Sequence, residues 1–427
     1  MKKKIISSIV ITSLMLLNSC SLFQKGPYEP FKSGHGFSLV EEGYGTTVNM
    51  QHYGNCWAMA SSTVMESDLL VRSGVKYSFQ PNDIVSLTYG GSIATEAEGL
   101  YSTDRSNAGS PVVQPIAATA TNILHGYVTV DANDYSSCDI EVIQEHIRTG
   151  GALTCMMRAE PEEYWSFDEH TTYNNPDIQN AWETDHVVVI VGWDDDFPAN
   201  QFSHKASRKG AWLVQNSWGK NWGEEGYFWM SYDTKLFGVC DISISDEYSE
   251  VLSYDASVCA LAATDGGTAT ANVYDHAGTI GAIGTYTSSP NQTLTLEIYS
   301  GEFGELIYTE EQTFEYVGYH TIELDEPLDV EQYTVVIHYP EGAPVEGDSF
   351  ELQSQVSGIT VGYNATIDEG QSYILVNGEW IDMSTSGIED SVEIITIGRA
   401  WNWVYGDING HECVIPNNAC IKVLYLL

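Results

Sequence analysis

The sequence places a cysteine, a histidine and an asparagine at the ends of three predicted elements that are far apart along the chain. Cys56 opens the stretch CWAMASSTVMESDLL, which lacks Gly and Pro and repeats apolar residues at helical spacing. A thiol at a helix N-terminus faces unpaired N–H groups and the positive end of the helix dipole, and both stabilise a thiolate. Cys56 is therefore a candidate nucleophile, although a buried structural cysteine would give the same local pattern.

The histidine and the asparagine each adjoin a predicted strand. His186 lies at the mouth of a β-branched run over residues 187–191, which predicts a buried strand. Residues 211–214 predict a second strand, with Asn216 just beyond its end. A thiol nucleophile needs a base, and the base needs an orienting partner. His186 can be the base and Asn216 the orienting group where the fold brings them to Cys56.

Three sequence blocks then indicate a family. GNCWAMAS, DHVVVIVGW and NSWGKNWGEEGY resemble the signature blocks of the papain-like cysteine peptidases and occur in that family's order, over roughly residues 40–245. The resemblance implies an α+β, two-lobed peptidase domain with its cleft between the lobes. It also implies roles for five residues: Cys56 as nucleophile, His186 as base, Asn216 as orienting group, Gln51 as oxyanion donor, and Trp218 as a lid over the hydrogen bond between Asn216 and His186. Ordinary core packing would also account for Trp218.

The chain departs from the family pattern near the nucleophile. Gln51 precedes Cys56 by five positions, one fewer than in papain, so the oxyanion loop is shortened. His52 is a plausible substitute donor. Tyr53 stands where the family has a disulfide cysteine, which removes that clamp. None of these changes removes a catalytic group, but the shortened loop could weaken the oxyanion hole.

Two loops bear on the predicted cleft. Residues 194–210 have the composition of an inserted loop that could overhang the cleft, and they begin with three aspartates that we interpret as a polar turn. Residues 107–110 read Asn-Ala-Gly-Ser. They stand where the family places a glycine-lined substrate wall, although an ordinary loop would have the same composition.

The N-terminus has the pattern of a secretion signal. Three lysines precede an apolar segment over residues 5–17 that is too short for a membrane span. The segment ends at Leu-Asn-Ser-Cys, which resembles the bacterial lipoprotein box and implies cleavage of residues 1–19 and lipidation of Cys20. Residues 20–38 hold Gly, Pro and Ser at intervals and predict a tether. We therefore expect an extracytoplasmic protein held to a bacterial membrane by its lipid alone.

The charge balance excludes some partners. Removal of residues 1–19 takes away three lysines and no acidic residue, which moves the formal net charge from −42 to −45. Nucleic acids and anionic membrane surfaces recruit basic patches, so neither is a predicted partner. The CxxC and HExxH patterns of metal sites do not occur in the sequence, and we predict no cofactor.

Six cysteines remain after Cys20 and Cys56 are assigned. On a secreted chain they could form disulfides, whose pairing the sequence does not fix. Cys413 and Cys420 enclose the shortest loop. The six are Cys138, Cys155, Cys240, Cys259, Cys413 and Cys420.

From about residue 250 the sequence changes to short alternating segments separated by turn residues, which predicts a β-sandwich. We place the peptidase domain at residues 39–248 and the β domain at residues 249–427. The second half resembles the lectin-like domain that follows the peptidase domain in some bacterial cell-surface papain-like enzymes. A cell-surface glycan is thus a candidate partner, although fold analogy alone does not establish carbohydrate binding. The predicted strands cover residues 270–274, 294–299, 333–338, 373–376 and 420–425.

The sequence thus favours a lipid-anchored, extracytoplasmic cysteine endopeptidase that hydrolyses protein or peptide substrates through a Cys56 acyl-enzyme. Two other functions stay open: a surface adhesin or glycan-binding protein with the peptidase fold as a scaffold, and a peptidoglycan-directed amidase or transamidase. Because the three blocks all precede residue 230, we expect residues 22 to about 248 to be active without the β domain.

Overall fold

The computed structural model describes residues 30–31, 34–52, 55–88, 124–160, 162–180, 183–255, 260–263, 268–346, 350–353, 360–363, 366–396 and 416–427. An α+β half is followed by an all-β half, as the sequence predicts. The helices of the first half are α1 (Cys56–Ser73), α2 (Pro81–Thr88) and α3 (Ile140–Thr149). Its strands are β1 (Gly36–Ser38), β2 (Val128–Asp134), β3 (Leu153–Met157), β4 (Trp165–Phe167), β5 (Thr171–Tyr173), β6 (His186–Asp194), β7 (Ala211–Gln215), β8 (Tyr227–Ser231) and β9 (Ser243–Ser245).

Strand β6 lies inside the sheet of the α+β half, and all of its residues are buried. The strand order is β1-β6-β7-β8-β5-β4, and β3 also pairs with β6. Strands β6 and β7 are antiparallel, with Val189 opposite Gln215. The end of β7 therefore lies beside the start of β6, which brings Asn216 next to His186.

Helix α1 is buried against this sheet along most of its length. Its buried hydroxyl groups bond to carbonyl oxygens one turn back, as Ser61 Oγ does to the Trp57 carbonyl and Thr63 Oγ1 to the Met59 carbonyl, both at 2.9 Å. These bonds satisfy polar groups that would otherwise be costly to bury. The helix ends at Gly74, whose φ of 72° and N–H bond to the Leu70 carbonyl form a left-handed cap.

Most of the predicted elements of the first half are confirmed. The helix predicted from Cys56 continues to Ser73, and β6 and β7 contain the runs at residues 187–191 and 211–214 that predicted strands. The tether prediction is wrong at its C-terminal end, because Gly36–Ser38 forms strand β1 on β6. Residues 1–29, Tyr53 and residues 107–110 lie outside the described residues.

The all-β half is built on two long strands, β12 and β15, which pair with each other over most of their length. Each of the strands predicted for this half lies within or overlaps an observed strand. The order β10-β22-β12-β15-β13-β14 forms the main sheet. The strands are β10 (Tyr248–Ser253), β11 (Ala260–Ala263), β12 (Thr268–Thr287), β13 (Gln292–Ser300), β14 (Leu306–Phe314), β15 (Val317–Tyr339), β16 (Ala343–Val345), β17 (Phe350–Gln353), β18 (Thr360–Tyr363), β19 (Ser372–Val376), β20 (Glu379–Asp382), β21 (Glu393–Thr396) and β22 (Lys422–Leu426).

The two halves share backbone pairing and a hydrophobic core. Strand β2 pairs with β9 of its own half and with β15 of the other, where Ala132 is opposite Tyr319. Tyr286, Tyr319 and Cys420 of the β half are buried in the same cluster as the core of the α+β half. This shared core is evidence against the expectation that residues 22–248 work alone, because removal of the β half would expose buried apolar surface.

The loop over residues 194–210 does not overhang the cleft as the sequence suggested. It begins at the end of β6 remote from His186, and its apolar residues Phe197, Phe202 and Ala206 are buried in the core. The Phe197 ring stacks on Trp229 at a centroid distance of 4.8 Å. The free energy gained by burying these apolar side chains outweighs the conformational entropy that an open loop would keep.

The described cysteines hold free thiols: Cys56, Cys138, Cys155, Cys240 and Cys420. Cys259 and Cys413 lie outside the described residues. Within the described part of the chain, no group of three or more His, Cys, Asp or Glu could hold a metal ion. No helix in that part is long and apolar enough to cross a membrane.

Candidate active site

Cys56 is the first residue of α1, as predicted, and its side chain is buried. Its thiol interacts with the backbone N–H groups of Val187 and Trp57. Burial nevertheless raises the pKa of the Cys56 thiol to about 11, and these N–H groups offset that effect only in part. The backbone N–H groups at the helix terminus favour the thiolate, as expected from the sequence, but desolvation of the thiol outweighs their effect.

His186 begins β6 and is held by the asparagine that the sequence predicted. Its Nε2–H donates to Asn216 Oδ1 at 2.8 Å, and both residues are buried. An amide oxygen only accepts hydrogen bonds, so Nε2 carries the proton and Nδ1 is the basic nitrogen. Burial lowers the pKa of His186 to about 4, although the bond to Asn216 opposes the shift. Burial therefore opposes a charge on both the Cys56 thiol and the His186 imidazole.

Asn216 is fixed by its own backbone and by the residue that follows. Its N–H donates to the Gly226 carbonyl at 2.9 Å, and its Oδ1 also accepts the Ser217 N–H at 2.7 Å. The amide oxygen thus receives two donors, one from the imidazole and one from the backbone. This arrangement holds the oxygen toward His186 and so selects the imidazole tautomer with a basic Nδ1.

Trp218 covers the imidazole, as predicted. Its ring stacks on His186 with a centroid distance of 4.9 Å and an interplanar angle of 20°. Behind it, Trp222 meets Trp218 edge to face at 4.9 Å, and Trp165 lies 5.4 Å from Trp222. Sequence reasoning missed Trp165, since no motif contains it. The aromatic-rich segment Tyr164–Phe167, which lies well before the second block, was a signal that could have indicated it.

Gln51 lies on a short ladder that joins the segment before the nucleophile to the segment after Asn216. The Gln51 N–H donates to the Ser217 carbonyl at 2.8 Å, and Met50 forms an antiparallel bridge with Trp218. The Gln51 side chain meets Ser217, whose hydroxyl donates to Oε1 at 2.5 Å. The alternative donor, His52, is exposed. The contact with Ser217 was not anticipated from the sequence.

Comparison with known proteins agrees with this arrangement. Residues 40–249 match the family model of the papain family cysteine proteases, and residues 253–395 match that of the lectin-like domain. Residues 40–249 therefore belong to the papain family of cysteine proteases, and a lectin-like domain follows them.

The curated relatives include a cathepsin L of Sarcophaga peregrina, 27% identical over 224 residues, which are 49% of this chain and 62% of that protein. Cathepsin L1 of Drosophila melanogaster is 28% identical over 209 residues, covering 46% of this chain and 53% of that protein. The chain therefore spans between half and two thirds of the length of these relatives.

Solved structures of Cwp84 match nearly the whole chain. The clostridial cysteine protease Cwp84 after propeptide cleavage is 17% identical with a TM-score of 0.66, covering 92% of this chain and 99% of that one. The cysteine protease and lectin-like domains of Cwp84, a surface layer associated protein of Clostridium difficile, give 17% identity and a TM-score of 0.65, with 93% and 90% covered. At this identity the likeness shows the fold, with a protease domain followed by a lectin-like domain.

Proposed function

We propose that the protein is a cysteine endopeptidase that hydrolyses peptide bonds through an acyl-enzyme on Cys56. The hydrogen bond from His186 Nε2–H to Asn216 Oδ1, at 2.8 Å beneath the Trp218 ring, carries this proposal. It leaves Nδ1 of His186 as the basic nitrogen, and the buried Cys56 thiol at the start of α1 meets the backbone N–H of the next residue, Val187. Nucleophile, base and orienting group are the parts that thiol-based acyl transfer requires.

We take the reaction to begin from a neutral Cys56 thiol and a neutral His186 imidazole, the forms that burial favours. As the sulfur of Cys56 attacks the substrate carbonyl carbon, its proton passes to Nδ1 of His186, and the carbonyl oxygen gains negative charge. The backbone N–H of Cys56 and the amide of Gln51 would stabilise that oxyanion. When the tetrahedral intermediate collapses, the C–N bond breaks and the imidazolium returns its proton to the leaving amine.

Hydrolysis of the acyl-enzyme repeats these steps with water. Nδ1 of His186 removes a proton from the water that attacks the thioester carbonyl, and the same proton then passes to the departing sulfur of Cys56. The acid product leaves and the neutral pair is restored. Asn216 holds the imidazole in one orientation throughout both halves of the reaction.

Labelling by an epoxysuccinyl peptide, followed by digestion of a mixed peptide library, tests this proposal. The wild type should be alkylated at Cys56 and should cleave internal peptide bonds, whereas Cys56→Ala should do neither. Cys138→Ala is the matched control, since Cys138 is a free and more exposed thiol outside the site, and it should behave as the wild type. Library cleavage by Cys56→Ala at the wild-type rate would refute the proposal.

We also propose that the protein is extracytoplasmic and held to a bacterial membrane through a lipid on Cys20. The support is the lysine-led apolar segment that ends in Leu-Asn-Ser-Cys. A fatty-acid probe fed to expressing cells should label the wild type, and Cys20→Ser should lose the label and leave the membrane fraction. Membrane retention of an unlabelled wild type would contradict lipid anchoring.

A glycan partner is the corresponding proposal for the lectin-like domain, supported by the family match over residues 253–395. The full chain carrying Cys56→Ala, which should not degrade its targets, can be applied to a glycan array. Binding to a defined set of saccharides would support the proposal, and a blank array together with no binding to intact cells would contradict it.

A further inference from the structure

The outer face of the β half carries a cleft that contains none of the residues of the proposed active site. Strand β13 separates two faces: Leu294, Leu296 and Ile298 are buried in the core of the β half, and the alternate residues point away from that core. On the outer face, Thr295 of β13 is opposite His338 of β15, and both residues line the cleft. Its volume is about 340 Å³, at the lower end of the roughly 300 to 1,000 Å³ that is typical of small-molecule sites.

One side of the cleft is apolar. Ala269 of β12 is buried, and its short side chain leaves space above the sheet. Pro340 and Leu375 form an apolar wall. Leu375 packs in a cluster that includes Phe303 and Trp380, whose rings have centroids 5.1 Å apart. Packed side chains therefore hold the Leu375 part of this wall in place.

The other side of the cleft presents hydroxyl groups. Thr293 Oγ1 lies 2.7 Å from Thr313 Oγ1, so these two hydroxyl groups bond to each other. Thr295 is two residues further along the same face, and its hydroxyl bonds to no other described residue. A threonine hydroxyl donates one hydrogen bond and also accepts. The Thr295 hydroxyl is therefore available to a ligand.

The His338 imidazole adds a second available group. Its Nε2 lies 3.1 Å from Glu297 Oε2, and the same oxygen accepts the Tyr299 hydroxyl at 2.7 Å. A carboxylate oxygen only accepts hydrogen bonds, so Nε2 carries the proton and Nδ1 is the accepting nitrogen of the neutral ring. In the part of the chain that the structure describes, Nδ1 bonds to no other group. The cleft therefore offers an acceptor as well as the Thr295 hydroxyl.

Charge limits the ligands that suit the cleft. No Asp, Glu, Lys or Arg is among the described residues that line it. Glu297 is paired with His338, and Glu311 is opposite Thr295 on the neighbouring strand β14. These carboxylates, together with the formal net charge of −42, repel phosphate, sulfate and carboxylate groups. A neutral ligand rich in hydroxyl groups therefore fits the lining better than a charged one.

We propose that this cleft binds a neutral sugar ring. A pyranose ring has C–H groups on one face and hydroxyl groups around its edge. Leu375 and Pro340 pack against the C–H face. Thr295 Oγ1 and His338 Nδ1 form hydrogen bonds with the hydroxyl groups. This inference rests on the glycan partner proposed above for the lectin-like domain, and it assigns the site and the chemical class of the ligand.

The first test titrates the full chain with the methyl glycosides of glucose, galactose, mannose and N-acetylglucosamine and follows binding by saturation-transfer NMR. At least one of these glycosides should bind. For that glycoside, Thr295→Val and His338→Leu should each raise Kd by about 5- to 10-fold, since each removes one hydrogen-bonding group. Sialic acid and trilysine serve as acidic and basic probes, and neither should compete with the glycoside.

Two matched controls lie in the same half. His276 also has its Nε2 beside a carboxylate, 3.2 Å from Glu250 Oε2, but it does not line the cleft, so His276→Leu should leave Kd unchanged. Thr385 is an exposed threonine outside the cleft, and Thr385→Val should likewise bind as the wild type does. Equal weakening in the controls and in the cleft variants would overturn the inference.

Chemical protection locates the sugar without a substitution. Diethyl pyrocarbonate acylates accessible imidazoles, and mass spectrometry of peptides measures the extent at each histidine. A saturating concentration of the glycoside should slow the modification of His338 and leave that of His276 unchanged. Equal modification of His338 with and without the glycoside would overturn the inference.

The outcomes also separate this inference from the glycan partner itself. Binding of a neutral glycoside with an unchanged Kd in Thr295→Val and His338→Leu would overturn the site and leave the glycan partner standing. Binding of sialic acid or trilysine in its place, weakened in those variants, would overturn the ligand class. No binding of any saccharide, here or on the glycan array, would refute the glycan partner as well.

Discussion

The Trp218 ring lies flat on the His186 imidazole, with centroids 4.9 Å apart. The indole therefore keeps water from the imidazole and from its hydrogen bond to Asn216. An exposed hydrogen bond exchanges with water and contributes less than a shielded one. This stacking explains part of the burial that holds the pKa of His186 at about 4.

We predict that Trp218→Ala lowers kcat/KM by about 10-fold, which is less than the roughly 10²- to 10⁴-fold contribution of a general base, because the base stays in place and loses only its cover. Exposure to water should also raise the pKa of His186 from about 4 toward its ordinary value of 6.5. The acid limb of kcat/KM should move upward in pH accordingly. Trp218→Phe should show a smaller shift, and Trp380→Ala in the β half should show none. An unmoved acid limb in Trp218→Ala would contradict this account of the shielding.

A second prediction concerns the oxyanion donor. Gln51→Ala should lower kcat by about 10² to 10³, or roughly 2.7 to 4 kcal/mol, with little change in substrate affinity. His52→Ala should have a mild effect, because that side chain is exposed. Steady-state kinetics on one peptide substrate measures both. A large loss in His52→Ala with a small one in Gln51→Ala would transfer the donor role to His52.

Glu66 gives a prediction for stability against pH. It is buried in α1, where Oε1 accepts the Phe79 N–H at 2.9 Å, and burial raises its pKa from 4.5 to about 7. The folded state therefore binds this proton more tightly than the unfolded chain does. Its contribution to stability is complete below pH 4.5 and is lost as the pH rises through about 7.

Glu66→Gln should remove this pH dependence, since the neutral amide can still accept the Phe79 N–H. Near pH 8 the variant should be more stable than the wild type by roughly 3 kcal/mol, and near pH 4.5 the difference should disappear. Chemical denaturation across this pH range measures the difference. Glu141→Gln on the exposed face of α3 is the control and should follow the wild type. A constant offset at all pH values would disprove the assigned titration.

The contact between the halves can be tested at Gly318. This β15 residue has a φ of 149°, and an added Cβ would overlap the Ala132 carbonyl oxygen of β2. Gly318→Ala should therefore lower the free energy of unfolding by about 2 to 4 kcal/mol through strain and lost pairing. Gly301→Ala is the matched control, since Gly301 has a φ of 62° and nothing within 4 Å of an added Cβ. In Gly301→Ala the free energy of unfolding should fall by only about 1 kcal/mol, the approximate cost of a left-handed backbone conformation at an alanine.

The same contact predicts that residues 30–248 expressed alone unfold at a lower temperature than the same half within the full chain. In the fragment, the apolar surface that Tyr286, Tyr319 and Cys420 cover in the full chain would be exposed to water. That exposed surface would favour aggregation. Thermal unfolding and light scattering measure these effects. A fragment as stable and active as the full chain would restore the expectation drawn from the sequence.

A buried ion pair stabilises the β half. Lys422 and Asp255 pair with both side chains fully buried, and the Lys422 ammonium lies 5.3 Å from the Tyr286 ring centre. Lys422→Met should cost about 3 to 5 kcal/mol, because it leaves the Asp255 carboxylate buried without its partner. The double variant Lys422→Met with Asp255→Asn should be more stable than Lys422→Met alone. Denaturant midpoints decide this, and an equal or lower stability of the double variant would contradict it.

The sequence predicted the site where the relevant signal was local. Cys56, His186 and Asn216 each adjoin a helix or strand whose periodicity is visible in the neighbouring residues, and motif order linked them. The direction of the pKa shift of Cys56 could not be predicted in this way, because it depends on how completely the fold removes water from the thiol. That burial is a property of the packed protein and has no signature around residue 56.

Contacts between segments far apart in the sequence could likewise not be predicted. The Ser217 hydroxyl and the Gln51 amide are 166 positions apart, and a serine or a glutamine alone gives no sign of its partner. The pairing of β2 with β15 joins segments that the change in sequence texture near residue 250 had assigned to separate domains. The local pattern of residue types indicates which secondary structure a segment prefers. The pairing of strand edges depends instead on the three-dimensional arrangement of the strands.

The attachment of β1 to β6 has a mechanical consequence. Gly36, Phe37 and Ser38 pair with Asp194, Trp193 and Gly192, and the Phe31 N–H bonds to Asp194 Oδ2 at 2.7 Å. A pull on the N-terminal segment along the strand would load these bonds together, in shear. The force would enter β6 at the end opposite His186, about 26 Å away at 3.3 Å per residue. Strands β3 and β7 would take up that load before it reached the imidazole, so tension on the N-terminus would leave the base undisturbed.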